Sequence, residues 1–203
     1  MAENKTEEVE EAETEVDAEA AANLLATIMD PGPSEPRVIG VFGDIDEERT
    51  ANTCAALIAF SQLSTDPIEV ILSTNGGSAD EMYAIVDTMG ILKAQNIEIS
   101  VTGVGKIFSA GVLILASGTK GQRKVGKNTR LMLHPLQGGT QGPLWSMKDD
   151  VSSMQKIQKS YIDAMAEVTS MTHKELRRIV NKRSDTYFTA QEALEMGIVD
   201  EVL

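Results

Sequence analysis

An α/β domain built on a parallel sheet is what this sequence predicts, and three observations predict it. From residue 38 onward, short apolar runs rich in Val and Ile alternate with longer stretches of helical period. Strand, helix and strand in succession require crossover connections, and crossovers leave neighbouring strands parallel. Capping signatures then divide the last third of the chain into short helices.

Taken in order, Val38 to Phe42 reads as a buried strand, Glu48 to Leu63 as a helix, Ile68 to Ser73 as a second strand and Ala79 to Ala94 as a second helix. In that second helix Met82, Ile85, Val86, Met89 and Leu92 recur at intervals of three and four, which aligns them on one stripe facing a core. Ile97 to Val101 is a further strand that leads towards Ser109, and Leu131 to Leu133 is an apolar strand ending at His134. Gly138, Gly139 and Gly142 mark a loop. Beyond it a long helix runs from about Leu144 to Val168, with Met147, Val151, Met154, Ile157, Tyr161, Ile162 and Met165 on one side. Such a helix spans close to ~40 Å, more than a body of this size requires, and is expected to project towards another subunit. Thr172 with Glu175 and Thr189 with Glu192 are spaced as capping boxes for two short helices, and Gly197 suits the stop of the second.

The net charge of −13 is unevenly placed. Residues 1–36 carry 11 acidic side chains against Lys5 alone, whereas residues 37–203 carry 20 acidic and 17 basic ones. The first segment, rich in Glu and Ala, is expected to be a disordered acidic tail, with Pro31, Pro33 and Pro36 separating it from a folded domain over 37–203. The near balance of that domain, with no basic cluster beyond the short piece from Lys120 to Lys127, argues against a nucleic-acid surface. Cys54 is the only cysteine and has no internal partner, and the acidic start lacks the pattern of a secretory signal, so a reducing cytoplasm is expected. The apolar runs are too short to span a bilayer.

Chemistry concentrates in two segments. Ser109 sits in Gly105-Lys-Ile-Phe-Ser109-Ala-Gly111 at the mouth of an apolar helix, and His134 follows 25 residues later. A hydroxyl needs a base to become a nucleophile, and an imidazole can take its proton and return it to a leaving amine. Each residue has an ordinary alternative: Ser-Ala-Gly at a strand-to-helix turn also suits an N-cap, and a strand-end histidine is often only hydrogen-bonded.

These segments, with Gly76-Gly77 before them and Asp185 after them, resemble the Clp-type serine peptidases over roughly Arg37 to Leu203. The resemblance implies a crotonase-like α/β spiral with a projecting handle helix. It implies an ATP-dependent protease's proteolytic subunit, a serine endopeptidase whose two stacked heptameric rings enclose a chamber where unfolded polypeptides are cut. Ser109 then matches the nucleophile, His134 the base and Asp185 the third triad member, with Asn181 as the fallback. Gly77 and Ala110 supply the oxyanion N–H groups, and Gly138, Gly139 and Gly142 belong to a loop that aligns substrate and joins rings. No metal or organic cofactor is implied; ATP is consumed by a separate chaperone ATPase. Two departures stand out: His134-Pro135-Leu136 replaces the common His-Gln-Pro, and Thr74-Asn75 precedes the glycine pair in place of Ser-Pro. Two other readings are a catalytically weak ring subunit pairing with an active paralogue and, less favoured, a crotonase-type acyl-CoA enzyme.

Overall fold

The computed structural model describes residues 36–203. The acidic tail expected over residues 1–36 lies outside the described residues, save Pro36.

Strand β1 (Val38–Phe42) is followed by helix α1 (Glu47–Leu63), strand β2 (Ile68–Thr74) and helix α2 (Ala79–Ala94). Asp46 starts α1 by accepting the Arg49 N–H at 2.8 Å, and Ser78 does the same for α2 with Glu81. Strand β3 (Ile99–Phe108) is longer than the sequence suggests, because Gly103 and Gly105 break the apolar alternation without ending the strand. Helix α3 (Ala110–Ala116), strand β4 (Arg123–Val125) and strand β5 (Arg130–Leu133) come next. The long helix α4 (Leu144–Val168), helix α5 (His173–Val180), strand β6 (Thr186–Thr189), helix α6 (Ala190–Glu195) and strand β7 (Glu201–Val202) complete the order. Both expected capping boxes form, at Thr172 with Glu175 and at Thr189 with Glu192.

The strands form one sheet in the order β1-β2-β3-β4-β7, with β5 branching from β3 and β6 pairing β5. Every pairing is parallel except β5 with β6. Strand β3 is the branch point: Val101 to Gly103 pair with β4, and Lys106 to Phe108 pair with β5. Its end therefore lies beside the end of β5, which brings residue 109 next to residue 134.

Alternation buries Ile68, Val70 and Leu72 of β2, and α2 buries Met82, Ile85, Met89 and Leu92 as its period requires. Helix α3 is different, for all seven of its residues are buried between α2, α4, β2, β3 and β5. Its four large aliphatic side chains contribute roughly 1.5–3 kcal/mol each. A methyl group on Gly111 would stand 2.3 Å from Thr74 Cγ2, so the helix packs on the end of β2 only because that position is glycine. Arg123, 3% exposed, closes the far end of α3: it pairs with Asp200 at 2.5 Å and donates to the carbonyls of Ala116 at 3.3 Å and Val168 at 2.7 Å. Of the stripe expected along α4, only Ile162 and Met165 are buried. Among the described residues nothing covers the other end of that helix, where Leu144 and Trp145 are 69% and 70% exposed.

Candidate active site

Between the end of β3 and the start of α3, Ser109 adopts φ 54°, ψ −119°, a left-handed φ rare for a residue with a side chain. Such a conformation costs about 1–3 kcal/mol and survives only where its surroundings hold it. Here the Ser109 N–H donates to the Met132 carbonyl at 2.8 Å, and the Ser109 carbonyl accepts the Val112 N–H at 3.0 Å and the Tyr161 hydroxyl at 3.3 Å. Although Ser109 stands at the N-cap position, its side chain makes no capping bond. The hydroxyl is left for other work.

That work is visible one strand away. His134 follows β5 directly, and its Nε2 lies 2.8 Å from Ser109 Oγ. Its Nδ1 lies 2.5 Å from the Pro135 carbonyl oxygen. A carbonyl only accepts, so Nδ1 carries the hydrogen; in the neutral ring Nε2 is then the free acceptor, facing the serine proton. The tautomer a general base needs is set by the backbone of the next residue.

Gly76 and Gly77 approach from the other side. Gly76 has φ 94°, and a Cβ there would lie 2.6 Å from Ser109 Cβ and 2.9 Å from the Phe108 carbonyl oxygen. A Cβ on Gly77 would lie 2.1 Å from the Ile45 carbonyl oxygen. A parallel bridge joins Ile45 to Gly77 through Ile45 N–H to the Gly76 carbonyl at 2.8 Å and Ser78 N–H to the Ile45 carbonyl at 3.0 Å. Neither bond uses the N–H of Gly77, which points to the opposite edge. Gly77 and Ala110 both line a cleft of about 390 Å³ that also holds Ser109 and His134. Its wall is apolar at Met82, Ile157 and Val180.

Asp185 is the expected site residue that the structure does not bring in. The β5–β6 ladder ends at Leu133 opposite Thr186, one step short of setting His134 against Asp185. Beyond that step Asp185 is exposed, and its carboxylate accepts the Tyr187 hydroxyl at 3.5 Å. The imidazole nitrogen that a third member would hold is already engaged by Pro135, in the segment where the chain departs from His-Gln-Pro. The fallback, Asn181, caps α5 and accepts from Gln158 at 3.4 Å. Gly138, Gly139 and Gly142 lie in an exposed stretch without regular structure before α4.

Comparison with known proteins shows the family. Residues 33–203 match the family profile described as Clp protease. The chain belongs to the Clp protease family. The ATP-dependent Clp protease proteolytic subunit 2 of Bifidobacterium longum (strain NCC 2705) is 29% identical over 183 residues, covering 85% of each chain. Proteolytic subunit 1 of Thermobifida fusca (strain YX) is 31% identical over 171 residues, covering 83% of this chain and 75% of that one. Among solved structures, a ClpP1 point mutant from Listeria monocytogenes superposes with a TM-score of 0.74 at 23% identity, covering 89% of this chain and 95% of that one. The fold is thus Clp protease-like, as the sequence resemblance implies.

Within this Clp-family site, several residues carry no sequence signal for their role. Tyr161 reads only as part of the apolar stripe of α4, yet its hydroxyl reaches the backbone of Ser109. Gln158, one turn earlier, accepts the Leu136 N–H at 3.2 Å and so ties the segment after His134 to α4. Asn75 donates to Asp44 at 2.9 Å, bracing the turn that carries the glycine pair.

Proposed function

We propose that this chain is the proteolytic subunit of a chambered serine peptidase that cleaves unfolded polypeptides. The observation that carries the proposal is the 2.8 Å contact between Ser109 Oγ and His134 Nε2 at a strained turn, with Gly77 and Ala110 lining the same cleft. In the proposed reaction Ser109 Oγ attacks the peptide carbonyl while His134 Nε2 takes its proton. The negative charge that develops on the carbonyl oxygen is met by the N–H groups of Gly77 and Ala110. Collapse expels the amine, which takes the proton from His134, and a water molecule activated by the same imidazole releases the acyl group from the serine. Pro135 holds the ring in its reactive tautomer. Asp185 takes no part in the reaction as we draw it.

The cleavage step as proposed uses no metal or organic cofactor, and ATP is consumed by a separate unfolding ATPase. Assembly into two stacked heptameric rings belongs to the same proposal, supported by the bare apolar end of α4 at Leu144, Trp145 and Val151. So does a cytoplasmic setting, supported by a lone cysteine with no partner in its own sequence. Among the described residues no helix is long and apolar enough to cross a membrane.

The test is degradation of a permanently unfolded protein by the purified assembly, with and without a chaperone ATPase, read by mass spectrometry of the fragments. Wild type should produce peptides and Ser109→Ala none. Equal fragmentation by both would remove the proposal. That His134 Nδ1 meets the Pro135 carbonyl and, among the described residues, no carboxylate favours one second reading, a weak subunit that needs an active paralogue, and turnover only on mixing with such a partner would support it.

A further inference from the structure

The carbonyl of Ser109 and the N–H of Ala110 belong to one planar peptide and point in opposite directions. Whatever holds that carbonyl therefore aims that N–H. Two donors hold it. The Val112 N–H, at 3.0 Å, comes from the first turn of α3 and moves with the helix that begins at Ala110. The Tyr161 hydroxyl, at 3.3 Å, comes from α4, 52 residues along the chain, and is the hold that ties this peptide to a separate element. Restraint matters here because Ser109 is strained. Rotation of the 109–110 peptide turns ψ of Ser109, which at φ 54° would carry it from −119° towards the allowed left-handed region, and it would swing the Ala110 N–H out of the cleft.

We propose that the Tyr161 hydroxyl is a positioning group for catalysis: by holding the Ser109 carbonyl from α4, it aims the Ala110 N–H at the oxyanion. The proposal rests on the serine-peptidase reading above. Burial, and secondarily Tyr83, keeps the Tyr161 phenol far above the ordinary tyrosine range, so it stays a donor throughout the working pH range. The ring also lines the cleft, which gives the residue a competing role as a wall for substrate. The two roles differ in what they move. A wall changes binding of substrate and product, whereas an aimed N–H changes only what forms after attack.

The experiment compares Tyr161→Phe with wild type after titrating intact sites with a fluorophosphonate, so that rates are expressed per reactive serine. Outright removal of an oxyanion donor costs ~10²–10³-fold in kcat, and loss of aim with the donor still present is expected to cost about 10-fold. KM and the affinity for a product peptide should stay within about 2-fold. A peptide aldehyde, which forms a tetrahedral adduct with the serine, should weaken by the same factor as kcat. An unchanged kcat per titrated site overturns the proposal, and so does a parallel loss of aldehyde and product-peptide affinity. If the phenylalanine variant does not assemble, Tyr161→Met fills the site without a hydroxyl and is judged by the same outcomes. Failure of the underlying reading shows elsewhere, as hydrolysis that survives Ser109→Ala.

Discussion

Replacing Gly76 by alanine tests how closely the glycine turn is fitted to the nucleophile. The new methyl carbon would lie 2.6 Å from Ser109 Cβ, 2.9 Å from the Phe108 carbonyl oxygen and 3.1 Å from Ser109 Oγ. Carbon atoms in contact prefer about 3.5–4.0 Å, so the two segments must part by roughly 1 Å. Retreat along the backbone is opposed, because Gly77 is itself pressed against Ile45. Overpacking of this kind costs about 1–3 kcal/mol, and an L-residue at φ 94° adds roughly 1–2 kcal/mol. A combined loss near 3 kcal/mol should lower Tm by about 6–12 °C in a chain of this size. Displacing the hydroxyl by 1 Å should lower kcat by about 10²-fold. The assays are thermal melting and hydrolysis of a fluorogenic peptide per titrated serine. Gly90→Ala on the exposed side of α2 serves as control, since a methyl there meets no atom within 4 Å. A Gly76→Ala enzyme with wild-type Tm and kcat within about 3-fold would show that the fit argued here is not what sets the geometry.

Two further outcomes follow from the same structure. Asp185→Asn should change kcat by less than about 3-fold, whereas the same change in a working triad costs ~10⁴; steady-state kinetics across pH 6–9 decide, and a loss of the larger size would restore Asp185 to the reaction. Arg123→Met should destabilise the fold by about 3–5 kcal/mol, because it leaves Asp200 without its buried partner. The Arg123 side-chain hydrogen bond, above all, holds the Asp200 carboxyl below the usual range despite partial burial. A depressed folded pKa stabilises the protein above the unfolded value of about 3.9 and loses that contribution as pH falls through the lowered one. Chemical denaturation between pH 2 and 6 should therefore show a shallower acid limb in Arg123→Met than in wild type, and identical slopes would count against the linkage.

Much of the fold is legible in the sequence for identifiable reasons. The stripe of Met82, Ile85, Met89 and Leu92 marks α2, and both α1 and α2 fall within a residue of the ranges read from the sequence, since helical period is a local property. Strand β3 is less legible, because Gly103 and Gly105 hide its second half, and β6 escapes because four residues carry no period. At the candidate site, the meeting of Ser109 and His134 is legible because a strand-to-helix turn and a neighbouring strand end are fixed by backbone topology. Asp185 is not, since whether it meets His134 depends on one further ladder pair, which the chain after Leu133 does not make. The Pro135 carbonyl belongs to no side-chain pattern at all. Tyr161 shows why an apolar stripe conceals function: its ring obeys the helical period while its hydroxyl serves another element.

The central claim is that the imidazole of His134 activates the hydroxyl of Ser109. It is tested most directly by the rate at which a fluorophosphonate forms its adduct on Ser109, followed by intact mass in wild type and in His134→Ala. The account expects one adduct per chain in the wild type and a rate at least ~10³-fold lower in the variant. Equal rates in the two would contradict it.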